Sequence, residues 1–424
     1  MKNILVPYGK CPMSVDVDDN NLLGVYNSTL PQAAADPFQE VIDAFDNPIG
    51  SVTLEEMARG KKNAVIIASD HTRPVPSKYI IPEMLKRLRQ NNPEIDITIL
   101  IATGCHRETT RDELVSKFGA DIVDNEKIHI HDCTDSSMCC ELGTLPSGGK
   151  LVINRLAAEA ELLVAEGFIE PHFFAGFSGG RKSVLPGIAA RETVWANHCS
   201  KFIQNPHSRT GILENNPIHA DMLFAARAAK LSFILNVVIN HDKEIVKAFA
   251  GDTFAAHEAG CKFLSGLCRI EVPEADIVIT SNGGYPLDQN VYQSVKGMTA
   301  GEAVCRENGV IILSASCCDG HGGESFFKAL SEAPSVAETL REIEKVPQEN
   351  TRQDQWQYQI LLRILEKFKV IMVTRDCDHA MIKAMKLDVA SSIQEALEMA
   401  YQHAGRDAKV AVIPDGVSVV AVKR

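Results

Sequence analysis

The stretch Glu170-Pro171-His172-Phe173-Phe174-Ala175-Gly176-Phe177-Ser178-Gly179-Gly180-Arg181-Lys182-Ser183 gathers an imidazole, a glycine-rich turn and a lysine behind an apolar run. The nearest familiar chemistry is phosphate binding, in which G-x-x-x-x-G-K-[ST] directly follows a strand and backbone N–H groups close around phosphates. Arg181 stands where the second glycine belongs, and Pro171 and His172 separate the turn from the run Leu162-Leu163-Val164-Ala165. No Walker-B strand and aspartate accompanies the loop, so a nucleotide hydrolase or kinase is the weaker reading. Lys182 is therefore free for other chemistry.

Other chemically capable residues fall at similar places. His106 follows Ala102-Thr103-Gly104 after a strand-like run, and His172 follows Glu170-Pro171 after another. Imidazole is the side chain whose ordinary pKa suits proton exchange near neutrality. Asp70-His71-Thr72-Arg73-Pro74 reads equally as an anion site built on the arginine fork or as a tight turn capped by Asp70 and stopped by Pro74. Gln293 and Lys296 are three residues apart on a helical stretch and can face one solute. Read alone, His198 is a helix-end histidine beside the macrodipole, and Trp356, one of two tryptophans, is a packing residue.

These residues need strands and helices to position them. Ala64–Ala68 and Ile97–Ile101 predict strands that open into Asp70–Pro74 and Ala102–Arg107, and Ile277–Thr280 predicts a third that opens into Ser281–Pro286. Helices follow each: one capped by Ser77 and carrying Met84 and Leu88, one after Thr110, and one carrying Tyr292, Gln293 and Lys296. Strand followed by helix, repeated, is the signature of an α/β fold. In such folds ligands bind beyond the carboxyl ends of the strands. The expected architecture is two α/β domains with mixed or mostly parallel sheets and an active-site cleft between them. Residues 1–270 are expected to form a cofactor-binding domain and residues 271–424 a second one. The runs at 410–413 and 417–422 read as strand, and the sequence leaves open whether the last returns to the first domain.

Composition narrows the function. The chain has 424 residues, 45% hydrophobic and 23% charged, enough for sizeable cores. A formal charge of -12 repels phosphate backbones, and no basic stripe interleaved with aromatics offsets it, so nucleic acid is not an expected partner. No window approaches the roughly 20 apolar residues of a membrane span, and the opening Met1–Gly9 is too short and too quickly broken for a signal peptide. A cytoplasmic protein is expected. The twelve cysteines include no C-x-x-C and suggest neither a zinc knuckle nor a secreted disulfide framework.

Taken together, Val6–Gly9, Asn21–Val25, Asp70–Pro74, Ala102–Arg107, the stretch from Glu170 to Ser183, His198, Gly284–Asn290, Tyr292–Met298 and Trp356 resemble the nickel-pincer lactate racemase family over most of the chain. The resemblance implies an isomerase that racemises or epimerises 2-hydroxy acids. It implies a pyridinium mononucleotide that grips nickel through two sulfurs and a ring carbon, with Lys182 as its attachment point and His198 as the nickel ligand. By the same resemblance His106 and His172 are alternating acid and base. Arg73, Tyr292, Gln293, Lys296 and Trp356 surround substrate or cofactor, and Asp70, Thr72 and Arg73 lie near the cofactor. Hydride moving reversibly between substrate Cα and the pyridinium ring would avoid the dianion that direct deprotonation next to a carboxylate requires.

Lactate is the first expected substrate. The same chemistry on malate, a hydroxyglutarate, phenyllactate or a sugar acid stands as the alternative, and a non-catalytic protein that carries the pincer nucleotide as a further one. Enzymes that make the cofactor are the expected protein partners.

Overall fold

The computed structural model describes residues 1–424. Two six-stranded sheets organise the chain. In the first, the spatial order is Ile245–Gly251, Leu231–Ile239, Leu163–Phe168, Asn63–Ser69, Asp96–Ala102 and Lys127–Ile130, all parallel except the first edge strand. In the second it is Asp388–Ala390, Lys369–Val373, Cys305–Ser314, Ala275–Ser281, Val410–Ile413 and Leu22–Val25, all parallel.

Parallel strands covered on both faces read as continuous apolar runs, and the predicted strands were legible for that reason. In Asn63–Ser69 the five central residues are all buried. Ile66 packs with Ile80, Met84 and Leu88 of helix Ser77–Gln90 on one face. Val65 and Ile67 face the other way, into a core that continues through Val278, Ile311 and Leu313 of the second sheet. The two sheets thus share apolar packing on their inner sides.

Two expectations change. The division at residue 270 places the opening residues with the first sheet, yet Leu22–Val25 is an edge strand of the second. The hairpin of Lys2–Val6 and Met13–Val17 buries Ile4, Val6, Val15 and Val17 against Ile277, Ile279 and Ile312 there. The end of the chain splits: Val410–Ile413 lies inside the second sheet, and Val420–Lys423 pairs in parallel with Arg269–Val272 outside both. Ser77 is also not a cap. It is the first helical residue, and its hydroxyl donates to Glu166 Oε2 at 3.1 Å. Thr110 does cap its helix, in a reciprocal box with Glu113.

Candidate active site

Strand Asn63–Ser69 lies between Leu163–Phe168 and Asp96–Ala102, so the turns leaving these three strands are neighbours. They carry Asp70 to Arg73, His106 and His172. Asp70 is buried, with Oδ2 2.7 Å from His106 Nδ1. Its Oδ1 accepts from the Thr72 N–H at 3.1 Å and the Thr72 hydroxyl at 2.7 Å, an Asx turn. Arg73 Nη1 donates to Thr72 Oγ1 at 3.1 Å. The loop is therefore a tight turn and an ionic site at once. A carboxylate only accepts, so His106 carries its proton on Nδ1 and keeps a lone pair on Nε2. Burial works to raise the Asp70 carboxyl, but the His106 hydrogen bond and charge, with Arg73 and Thr72, hold it down at about 2.

His172 sits on a two-residue ladder, Pro171–His172 against Gly176–Phe177. Gly176 turns the chain at φ 79°, and a Cβ there would collide with the Ile212 carbonyl, so the turn requires glycine. The single helical turn Gly180–Ser183 then brings Lys182 back, with Nζ 3.3 Å from His172 Nε2. The Ala175 N–H donates to His172 Nδ1 at 3.3 Å. In the neutral ring Nε2 thus holds the proton and faces the Lys182 amine. Burial, followed by the charges of Arg181, Arg73 and Lys296, pushes the Lys182 pKa well below its ordinary value. Burial and the Lys182, Lys296 and Arg73 charges likewise keep His172 neutral.

His198 ends helix Arg191–Asn197. Its buried ring lies edge-on to Phe174 at 5.0 Å and to Trp356 at 5.2 Å, and Phe174 lies edge-on to His172 at 4.6 Å. Burial, then the Lys182 charge, lowers the His198 pKa to about 3. From the second sheet, helix Val291–Val304 presents Tyr292, Gln293 and Lys296, its first turn capped by Asn290. Burial and the Arg73 charge lower Lys296 to about 8, with Glu170 opposing. Burial raises the Tyr292 phenol, and its ring packs on Phe326 at 5.2 Å.

Three partnerships here had no signal in the sequence. Asp70 serves His106, a partner 36 positions away. Glu170 faces the Lys296, Arg73 and Lys182 charges, and its enclosure by the surrounding protein raises its pKa against them although its edge is open to solvent. Arg181, the residue that spoils the phosphate motif, is buried without a carboxylate. It donates to the carbonyls of Ala175, Ser178 and Gly179 and contacts His219 and His257 at 3.0 Å, so it braces the turn that holds Lys182.

A metal-bearing group linked through an amine would need a neutral lysine and an uncommitted donor. Lys182 is the first, and His198 Nδ1, buried with no hydrogen-bond partner, marks a ring not committed to the protein around it. The residues fit such a group. No cluster of three His, Cys, Asp or Glu side chains stands ready for a metal, so further donors would come with the group.

An α/β fold of two parallel sheets whose turns bring His172, Lys182, Arg73 and Lys296 within reach of one another's charges is that of an enzyme for a small anionic substrate. The sequence model of the lactate racemase N-terminal domain matches residues 8–211, and that of the C-terminal domain matches residues 270–421. The chain is 53% identical over 422 residues to the lactate racemase of Thermoanaerobacterium thermosaccharolyticum, covering 99% of each. It is 51% identical over 428 residues to that of Lactiplantibacillus plantarum, covering 99% of this chain and 100% of the relative. The solved lactate racemase apoprotein from T. thermosaccharolyticum superposes with a TM-score of 0.97 at 53% identity, covering 99% of this chain and 100% of that one. A protein from Thermotoga maritima shares the fold at a TM-score of 0.65 and 20% identity, covering 94% of this chain and 100% of that one. The chain belongs to the lactate racemase family and is an isomerase.

Proposed function

We propose that this chain interconverts the enantiomers of lactate, with nickel held in a pincer nucleotide joined to Lys182 and His198 as the protein's ligand to the metal. What supports the proposal is that His106 and His172 stand on turns leaving one sheet, His106 against Asp70 and His172 among the charges of Lys182, Lys296 and Arg73. The names of the two curated relatives support lactate as substrate. The pincer nucleotide, when bound, supplies a hydride acceptor for the substrate Cα hydrogen.

Arg73 and Lys296 hold the carboxylate, and the arginine fork suits a planar anion. His106 takes the hydroxyl proton on Nε2 while Asp70 stabilises the imidazolium that results. His172 is held neutral in the free protein by the positive charges around it. A bound carboxylate offsets Arg73 and Lys296, which lets His172 carry the proton it returns to the opposite face. Phe173, Phe174 and Trp356 keep water from the reacting centre. Gln293 and Tyr292 line the substrate side of the helix, and cofactor-making enzymes supply the nucleotide.

Chiral chromatography of single lactate enantiomers after incubation with cofactor-loaded protein tests the reading. Loss of optical purity from either enantiomer is expected, together with its disappearance in H106A and H172A. Racemisation of a larger 2-hydroxy acid but not lactate would remove lactate as the substrate.

A further inference from the structure

The first sheet opens at its carboxyl end. From Asn63–Ser69 the chain steps outward to Asp96–Ala102 and Lys127–Ile130 on one side, then returns to place Leu163–Phe168 on the other. The strand order therefore reverses between Asn63–Ser69 and Leu163–Phe168, and α/β sheets bind ligands in the crevice at such a reversal. These two strands pair only as far as Ile67 and Ala165. Beyond that point each stays with its outer neighbour, Ser69 opposite Ala102 and Phe168 opposite Val237. Asp70 and His106 thus leave the sheet on one side of the opening and His172 on the other.

Glu166 spans the opening, buried at 2% exposure. Alternate N–H groups of Asn63–Ser69 point at its strand, as Val65 does in donating to Leu162 O at 2.9 Å. Ser69, four residues on, points the same way and meets the Glu166 side chain: Oε1 accepts its N–H at 2.8 Å and its hydroxyl at 3.0 Å. Oε2 accepts from the Ser77 hydroxyl at 3.1 Å. Ser69 precedes Asp70, and Ser77 begins the helix after the turn. One carboxylate therefore holds both ends of the segment that carries Asp70, Thr72 and Arg73. The same residue lies six positions before His172 on the strand that leads to it.

We propose that Glu166 is a positioning residue that sets the separation of His106 and His172, by tying the Asp70 segment to the strand that leads into His172.

The tie reaches His106 through Asp70, whose Oδ2 lies 2.7 Å from His106 Nδ1. Two imidazoles that serve opposite faces of one carbon must keep a fixed separation, and a misplacement of about 1 Å costs roughly a hundredfold in rate. The effect on turnover rests on the reading of both histidines as acid and base; the tie itself does not.

Reach and charge are separable at this position. E166D keeps the charge but is shorter by one C–C bond, about 1.5 Å, so it cannot hold Ser69 and Ser77 together. E166Q keeps the length. Its carbonyl accepts from Ser69, and its amide donates to the Ser77 hydroxyl, whose proton turns to Val75 O, 3.4 Å away. In both variants Lys117, on helix Arg111–Phe118, still donates to Arg73 O at 3.0 Å, so the segment keeps one anchor.

The test has two readouts. In the cofactor-free chain with isotope-labelled histidine, the Nδ1 proton of His106 gives a resonance identified by its absence in H106A. It is expected in the parent and in E166Q, and displaced or lost in E166D. In the loaded enzyme, kcat per bound nickel for lactate racemisation is expected to fall about a hundredfold in E166D, with KM changed less than about threefold. E166Q is expected to recover most of that loss. The double variant S69A/S77A keeps Glu166, removes two of its three donors and is expected to show the same two changes, with kcat down about tenfold. An unchanged resonance in folded E166D or S69A/S77A, or an equal loss in E166Q and E166D, overturns the proposal. A parent that racemises nothing would remove the roles of the two histidines, while the resonance, which needs no turnover, still decides the tie.

Discussion

Asp70 Oδ2 lies 2.7 Å from His106 Nδ1, so a buried carboxylate fixes the tautomer of the imidazole at the edge of the cleft. In D70N the amide leaves the ring geometry intact but can donate to Nδ1, which sends the proton to Nε2. By analogy with other carboxylate–histidine pairs, kcat is expected to fall by roughly 10²–10⁴ with KM little changed. Initial rates from each lactate enantiomer measure this; a change confined to KM would assign Asp70 to binding instead.

Acid stability should report the same pair. The Asp70 pKa is depressed from 3.8 to about 2 in the folded chain, so its stabilisation is complete above the unfolded value and is lost as pH falls through the folded one. The contribution is about 2 kcal/mol. Denaturant midpoints taken from about pH 5 to about pH 2 should therefore fall less steeply in D70N than in the parent. Parallel curves would remove Asp70 as the source.

Lys182 should react as an amine where ordinary lysines do not. Its pKa is pushed well below the usual value, first by burial and then by Arg181, Arg73 and Lys296. Peptide mapping after brief acylation of the cofactor-free protein near neutrality should find Lys182 modified ahead of exposed Lys62 or Lys345. Preferential labelling of the exposed lysines would show Lys182 to be protonated.

His198 has edge contacts with Phe174 and Trp356 but no partner for Nδ1. Its removal relieves an uncompensated polar atom while opening a cavity, and these oppose each other. H198A is expected to keep its denaturation midpoint within about 1 kcal/mol and to lose nickel from the loaded protein by elemental analysis. Full metal retention would place the ligand elsewhere.

Arg181 is the mechanical support of the lysine turn. R181M keeps the length of the side chain but leaves the carbonyls of Ala175, Ser178 and Gly179 without their donor. A loss of roughly 3–5 kcal/mol in unfolding free energy is expected. Equilibrium urea unfolding measures it, and an unchanged midpoint would make the arginine dispensable to the turn.

Local pattern carried most of the elements. The apolar runs at 64–68, 97–101 and 277–280 became strands because their side chains are covered on both faces, which demands that composition whatever surrounds them. The helix after Thr110 was legible, and Thr110 caps it through Glu113, a partner only three residues away. Ser77 was misread because its hydroxyl is claimed by Glu166, on a strand 89 positions later.

The sequence by itself determined where strands end, which turns need glycine and which residue types stand at those ends, since all of these depend on a few neighbouring residues. Only the tertiary structure decided that Asp70 sets His106, that Arg181 braces Lys182 and that Leu22–Val25 joins the second sheet. Each of these is a through-space contact between segments far apart in the chain, and burial and charge at such contacts have no local signature. The histidine and lysine were legible as types; their protonation was decided by what folded around them.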